Sequence, residues 1–201
     1  MRFRPTILVP AAGRGRRFGG DGHKLAQALG SGTVLGATLR NAVQTQLSVL
    51  CITTESMAPL AWKQLARRDV LVLSDEQAAA GMGHSIALGV AERSGAPGWL
   101  VLPGDMPAVK PGTLLAVASA LEQHAVVYAQ HKGRRGHPVG FAAELYSELV
   151  LLTGDDGARR VMLRYPAFAC DVDDPGVLLD VDTVADLDAL RTTQGLAAPA
   201  E

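Results

Sequence analysis

Short apolar runs alternate with segments of helical spacing through the first hundred positions. Residues 6–9 form a β-rich apolar run closed by Pro10, the pattern of a buried strand. Residues 33–46 place Leu35, Leu39 and Val43 on one stripe, the spacing of a helix. Residues 49–53 predict the next strand and 70–73 a further one. Between them 59–68 reads as a helix whose basic last turn, Arg67 and Arg68, suits the helix dipole. A helix is expected over 85–93, entered through Gly81-Met82-Gly83, and a strand over 99–102 that runs into Pro103-Gly104-Asp105. Strands near residues 6, 49, 70 and 99 that alternate with helices give a βαβ rhythm, hence a mainly parallel sheet covered on both faces.

Beyond residue 111 the rhythm loosens. A helix over 113–123, a strand over 126–130, a basic turn and a strand-like 138–141 are followed by helical stretches at 142–151 and 157–164. Residues 168–172 and 177–181 read as strands, and Thr183 opens the last helix with Asp186 in the capping-box position. The expected fold class is α/β, a three-layer α/β/α sandwich that is Rossmann-like in its first half. A single domain is expected over 1–195, with the Ala/Pro-rich 196–201 as a disordered tail. In open parallel sheets ligands bind beyond the carboxyl ends of the strands. The loop after the first strand, the Gly81 loop and the 103–105 turn should therefore converge on one edge.

Composition narrows the function classes. The 201 residues are 48% hydrophobic and 19% charged, which suits a chain that buries a core and excludes a disordered one. A net charge of −1 leaves no general basic field for nucleic acid or an anionic membrane. No apolar run approaches the roughly 18 residues of a membrane span, and the N-terminal apolar stretch is too short for a signal peptide, so a cytoplasmic protein is expected. Cys51 and Cys170 sit in apolar, strand-like contexts, as buried free thiols in a reducing compartment would. Charge is concentrated locally: residues 11–24 hold Arg14, Arg16, Arg17 and Lys24 against Asp21, a net of +3, within a glycine-rich loop.

That loop carries the clearest chemistry. In Pro10-Ala11-Ala12-Gly13-Arg14-Gly15-Arg16-Arg17-Phe18-Gly19-Gly20-Asp21-Gly22-His23-Lys24, glycines let backbone N–H groups approach an anion. Arginines add forked donors to phosphate oxygens, and Lys24 adds a compact charge. The segment reads as a triphosphate cradle. It is not a P-loop, since His23 and Leu25 flank the lysine where Gly and Ser or Thr belong. The dinucleotide fingerprint also fails, with Phe18 at the third glycine and Glu55 too far along to meet a ribose. Asp105, on a turn after an apolar strand, is a hard oxygen ligand for Mg²⁺. Asp180 and Asp182, two apart in the strand expected there, would face the same way, and either one can complete the metal site. Residues 132–137, Lys-Gly-Arg-Arg-Gly-His, are a second positive cluster, either a solvated hairpin tip or a dock for an acceptor's phosphate. Asp171, Asp173 and Asp174, beside Pro175-Gly176, read as a solvated turn.

The first loop resembles the A-A-G-x-G-x-R-[MF]-G…K signature of nucleotidyltransferases that make activated cytidylyl and guanylyl compounds. Five further blocks match the molybdenum cofactor cytidylyltransferase branch, in order: residues 81–85, 103–107, 135–139, 154–159 and 180–183. The resemblance covers nearly the whole chain and implies a nucleotide-diphospho-sugar-transferase type of fold, Mg²⁺ as cofactor and transfer of a nucleoside monophosphate with loss of pyrophosphate. It implies that Ala11, Ala12, Gly13, Arg14, Gly15, Lys24, Gly81 and Ser85 bind the nucleotide, and that Lys24, Arg17 and Asp105 carry catalysis. It also implies Asp105 with Asp182 or Asp180 at the metal, and Arg135, Gly136, His137, Asp156 and Arg159 around the acceptor. The guanylyl enzymes usually read Ala-Gly-Gly where this chain has Ala11-Ala12-Gly13, and the extra methyl favours CTP over GTP. The acceptor implied is molybdopterin, with a molybdoenzyme or its chaperone as a partner. Pro10, which also occurs in the cytidylyltransferases of isoprenoid synthesis, keeps a sugar or polyol phosphate open as acceptor. An NAD(P)-linked oxidoreductase on the same loop, and a cofactor-holding chaperone without catalysis, are the readings from other classes.

Overall fold

A computed structural model of the chain describes residues 3–13, 15, 18–19 and 22–195. Strand β1 (Thr6–Ala11) leads through the glycine loop to a two-residue hairpin, β2 (Ala28–Leu29) and β3 (Gly32–Thr33), and then to α1 (Val34–Gln44). Next come β4 (Ser48–Thr54), α2 (Ala58–Ala61), β5 (Val70–Leu73), α3 (Asp75–Ala79), α4 (Met82–Glu92) and β6 (Gly98–Val101). The second half holds α5 (Pro111–Ala120), β7 (Val126–His131), β8 (Arg134–Ala142), α6 (Tyr146–Leu149), α7 (Arg159–Arg164), β9 (Ala167–Asp171) and α8 (Val184–Thr193).

Seven strands form one sheet in the order β5-β4-β1-β6-β8-β7-β9. The pairs β1–β4, β1–β6, β4–β5 and β7–β9 are parallel, while β8 runs antiparallel to both of its neighbours. Because strand side chains alternate between faces, each strand feeds two cores. Ile7, Val9 and Ala11 of β1 join Val49 and Cys51 of β4 beneath α1, α5 and α8, whereas Leu8 joins Leu50 and Ile52 beneath α4, α6 and α7. The result is the expected three-layer, Rossmann-like α/β/α sandwich. Both cysteines are free thiols.

Three local expectations are corrected. The helix foreseen over 59–68 stops after four residues at Ala61, because Ala66 is extended and Arg67–Asp69 makes only a 3-10 turn. Arg67 stacks over the Trp62 ring at 4.3 Å instead of ending a helix. The strand foreseen over 177–181 is a 3-10 turn at Pro175–Leu178 followed by irregular chain, so Asp180 and Asp182 do not share a strand face. Asp174 is not a solvated turn residue: it is 2% exposed and accepts hydrogen bonds from Lys110 N, Thr113 Oγ1 and Gly176 N. Its carboxylate thereby caps α5, whose N-cap Lys110 has no side-chain cap of its own. The sequence offered α5 no local capping residue, and a distant one served.

Candidate active site

The carboxyl ends of β1 and β6 and the N-terminus of α4 open onto one cleft of about 510 Å³. Ala11, Ala12, Gly13 and Gly15 line it from the first loop, Gly81 and Ser85 from α4, and Asp105 and Asp182 from the loops opposite. The expected convergence of the three loops is observed. Arg14 and Arg17 lie outside the described residues. The two ends of the glycine loop are tied by His23: Leu25 N donates to its Nδ1, so the proton resides on Nε2, which donates to the Gly13 carbonyl at 2.7 Å. This tie turns the chain into the 3-10 turn Lys24–Ala26 and fixes where Lys24 starts.

Lys24 Nζ donates to Asp105 Oδ2 at 2.6 Å and to Asp182 Oδ1 at 2.7 Å. Burial pulls its pKa down, but the two carboxylates outweigh that and hold it above the ordinary lysine value. Asp105 is set from behind. Gly104 N donates to Pro10 O, Thr38 Oγ1 donates to Gly104 O at 2.9 Å, and Asn41 Nδ2 donates to Pro107 O and Val109 O. Asp182 arrives through Val181 N, which donates to Asp105 O at 2.9 Å. Asp182, rather than Asp180, receives Lys24; Asp180 stands nearby, its carboxyl pushed above the usual range by burial and by the charges of Asp182 and Asp105.

Gly81 is the N-cap of α4 with φ +96°, and a Cβ there would lie 2.4 Å from the Gly154 carbonyl carbon. Only glycine admits that approach. Gly83 N donates to Gly154 O and Gly154 N to Ala80 O, so the 81–83 and 153–155 segments are locked together. Ser85 is buried, its hydroxyl turned back on Gly81 O. Met82 and Asp155 line both the cleft and a second cavity of about 340 Å³ beside it.

The second cavity gathers all five residues expected around the acceptor. Arg135, Gly136 and His137 enter from β8, and Asp156 and Arg159 from the turn into α7. Arg134 and Arg135 do flank a hairpin tip, at Lys132-Gly133 (φ +49° and +75°). Arg135, however, folds over the Tyr128 ring at 4.3 Å and lines the cavity. Burial pulls the His137 imidazole below its ordinary value against the raising pull of its backbone hydrogen bond with Val101 and the charges of Asp105 and Asp180. The cavity floor is apolar: Ile86, Val139, Phe141 and Met162. Sequence reading missed those walls, along with Met82 and the His23 tie. Met82 was in view between two glycines, but apolar residues that meet only across the fold leave no motif.

A divalent cation fits the first cleft. Asp105 Oδ1 is buried without a hydrogen-bond partner, and carboxylate oxygens are the donors hard cations take. Among the described residues no group of three or more His, Cys, Asp or Glu forms a ready-made metal centre. Two carboxylates completed by substrate phosphates is the arrangement Mg²⁺ commonly accepts.

Residues 7–168 match the family described as the MobA-like NTP transferase domain. The fold is similar to that of Rv0371c from Mycobacterium tuberculosis H37Rv, at 29% identity and TM-score 0.78 over 94% of this chain and 98% of that one. A second structure of that protein is a complex with manganese, at 29% identity and TM-score 0.76 over 93% and 97%. The fold is shared as well with molybdopterin-guanine dinucleotide biosynthesis protein A from Archaeoglobus fulgidus, at 15% identity and TM-score 0.70 over 94% and 98%. No curated protein sequence matches. No helix among the described residues is long and apolar enough to cross a membrane.

Proposed function

From a chain that belongs to the MobA-like NTP transferase family, and is therefore a nucleotidyltransferase, we propose a cytidylyltransferase that moves CMP from CTP to a phosphorylated pterin cofactor, molybdopterin, with Mg²⁺ as metal. The observation that carries this reading is the adjacency of two unlike cavities. A glycine-walled cleft holding Lys24, Asp105 and Asp182 shares Met82 and Asp155 with an apolar pocket rimmed by Arg135 and Arg159. A triphosphate suits the first. A flat ring system with an anionic tail suits the second, where Phe141, Val139 and Met162 can face a ring and Arg135 and Arg159 can meet the anion. Ala12 lines the nucleotide cleft with a methyl where a glycine would leave more room, which favours the smaller base.

In the reaction an oxygen of the acceptor phosphate attacks the α-phosphorus. The new P–O bond forms as the bond to the departing pyrophosphate breaks. A phosphate monoester is largely dianionic at neutral pH, its second pKa being near ~6, so no side chain need remove a proton. Lys24, with Arg14 and Arg17, holds the leaving pyrophosphate, and Arg135 and Arg159 orient the acceptor. Asp105 and Asp182 would hold Mg²⁺, which when bound neutralises charge on the phosphates. A panel of NTPs crossed with molybdopterin and with sugar or polyol phosphates, read by pyrophosphate release, tests the reading. CTP with molybdopterin should lead, and a tenfold preference for GTP, about 1.4 kcal/mol, would replace the cytidylyl assignment. Release with sugar phosphates alone would replace the acceptor.

A further inference from the structure

The cation that the two carboxylates hold in this structure is an ammonium. Lys24 Nζ sits between Asp105 Oδ2 and Asp182 Oδ1, at 2.6 and 2.7 Å, with only 13% of its side chain exposed. A Mg²⁺ ion bound between the same two oxygens, Asp105 Oδ2 and Asp182 Oδ1, would stand roughly 2.0–2.1 Å from each, which brings it into the volume the ammonium fills. Two positive centres cannot share that volume in a partly desolvated site. We propose that Lys24 is a built-in occupant of the metal site, so that the divalent cation enters together with the triphosphate and not before it. This rests on the assignment of Asp105 and Asp182 as metal ligands.

The geometry supplies both halves of the exchange. Lysine carries its charge on a flexible four-carbon stem and can move it by several ångströms. Gly13 and Gly15 line the same cleft as Lys24, so a triphosphate bound against them offers the ammonium new anionic partners within reach. Once it moves, Asp105 and Asp182 face one another as like charges, with Asp105 Oδ1 already unpartnered, and a divalent cation resolves the repulsion. Among the described residues, the hydrogen-bond partners the ammonium holds without the nucleotide are Asp105 and Asp182. Metal and nucleotide should therefore bind cooperatively, each raising the other's affinity by the same factor.

The test measures Mn²⁺ binding to the full chain without nucleotide, by electron paramagnetic resonance of the free ion. Wild type should bind Mn²⁺ at least tenfold more weakly than Lys24→Met, and Lys24→Gln should follow Lys24→Met; circular dichroism checks that each variant is folded. Adding Asp105→Asn to Lys24→Met should abolish the gain. In wild type, a non-hydrolysable CTP analogue should tighten Mn²⁺ binding at least tenfold. Equal Mn²⁺ affinity in wild type and both Lys24 variants overturns the proposal; if that binding still needs Asp105, the metal-ligand assignment survives. If no variant binds Mn²⁺ and Asp105→Asn changes nothing, the assignment falls as well.

Discussion

Lys24 and Asp105 are 81 residues apart in sequence and 2.6 Å apart in the folded chain. Their contact makes the lysine the charge that the proposed chemistry leans on most. Lys24→Ala should lower kcat roughly 10²–10³-fold, the scale of losing one preorganised charge-stabilising donor. The loss should be the same for every acceptor tested, because pyrophosphate is the common leaving group. Arg135 should separate from it. Arg135→Ala removes a group placed on the wall of the second cavity, so acceptor KM should rise while CTP affinity barely moves, the signature of a lost uniform contact with one substrate. Steady-state kinetics with each substrate varied in turn decides this. Weaker CTP binding with unchanged acceptor KM would assign both positive clusters to the nucleotide.

At the scale of elements, the N-terminus of α4 and the turn before α7 behave as one unit. Gly83 N and Gly154 N each donate across the contact, and Gly81 has a conformation and a clearance that exclude a Cβ. Gly81→Ala should cost more than ~1 kcal/mol of stability, the least expected for a side chain forced into positive φ. Since Met82 and Asp155 border both cavities, the same substitution should weaken nucleotide and acceptor binding together. Chemical denaturation with two binding titrations measures it, and a defect in one substrate alone would show that the segments move independently. The same scale explains the misread stretches. Residues 59–68 have helix-forming composition but only a brief crossover to make, and Ala66 turns extended so that β5 can start in parallel register beside β4. Residues 177–181 have the apolar composition of a strand, yet the segment joins no sheet among the described residues and is pinned instead by Asp174 and by Val181 N on Asp105 O.

At the scale of the whole molecule, stability should depend on pH through a buried imidazole. His137 is held below its ordinary value of 6.5 by burial. The unfolded chain therefore binds a proton there at pH values where the folded one does not, and stability falls as pH drops through about 6.5 toward the folded value. Melting temperatures between pH 5 and 7.5 should show that slope, and His137→Asn should flatten it; an unchanged slope would place the titration elsewhere.

The sequence by itself determined the layers and singled out many of the polar residues that line the two cavities. Alternation within β1 and β4 dictates two cores, and glycines, basic residues and a turn aspartate placed after strands dictate one ligand edge. Those signals are local: periodicity belongs to one element, and a phosphate cradle to one loop. Tertiary structure decided everything that depends on who meets whom. It chose Asp182 over Asp180 for Lys24, buried Asp174 as the cap of α5, and joined two cavities through Met82 and Asp155. Such choices follow from close packing between segments far apart in the chain, where a difference of one ångström selects a partner that no spacing rule encodes.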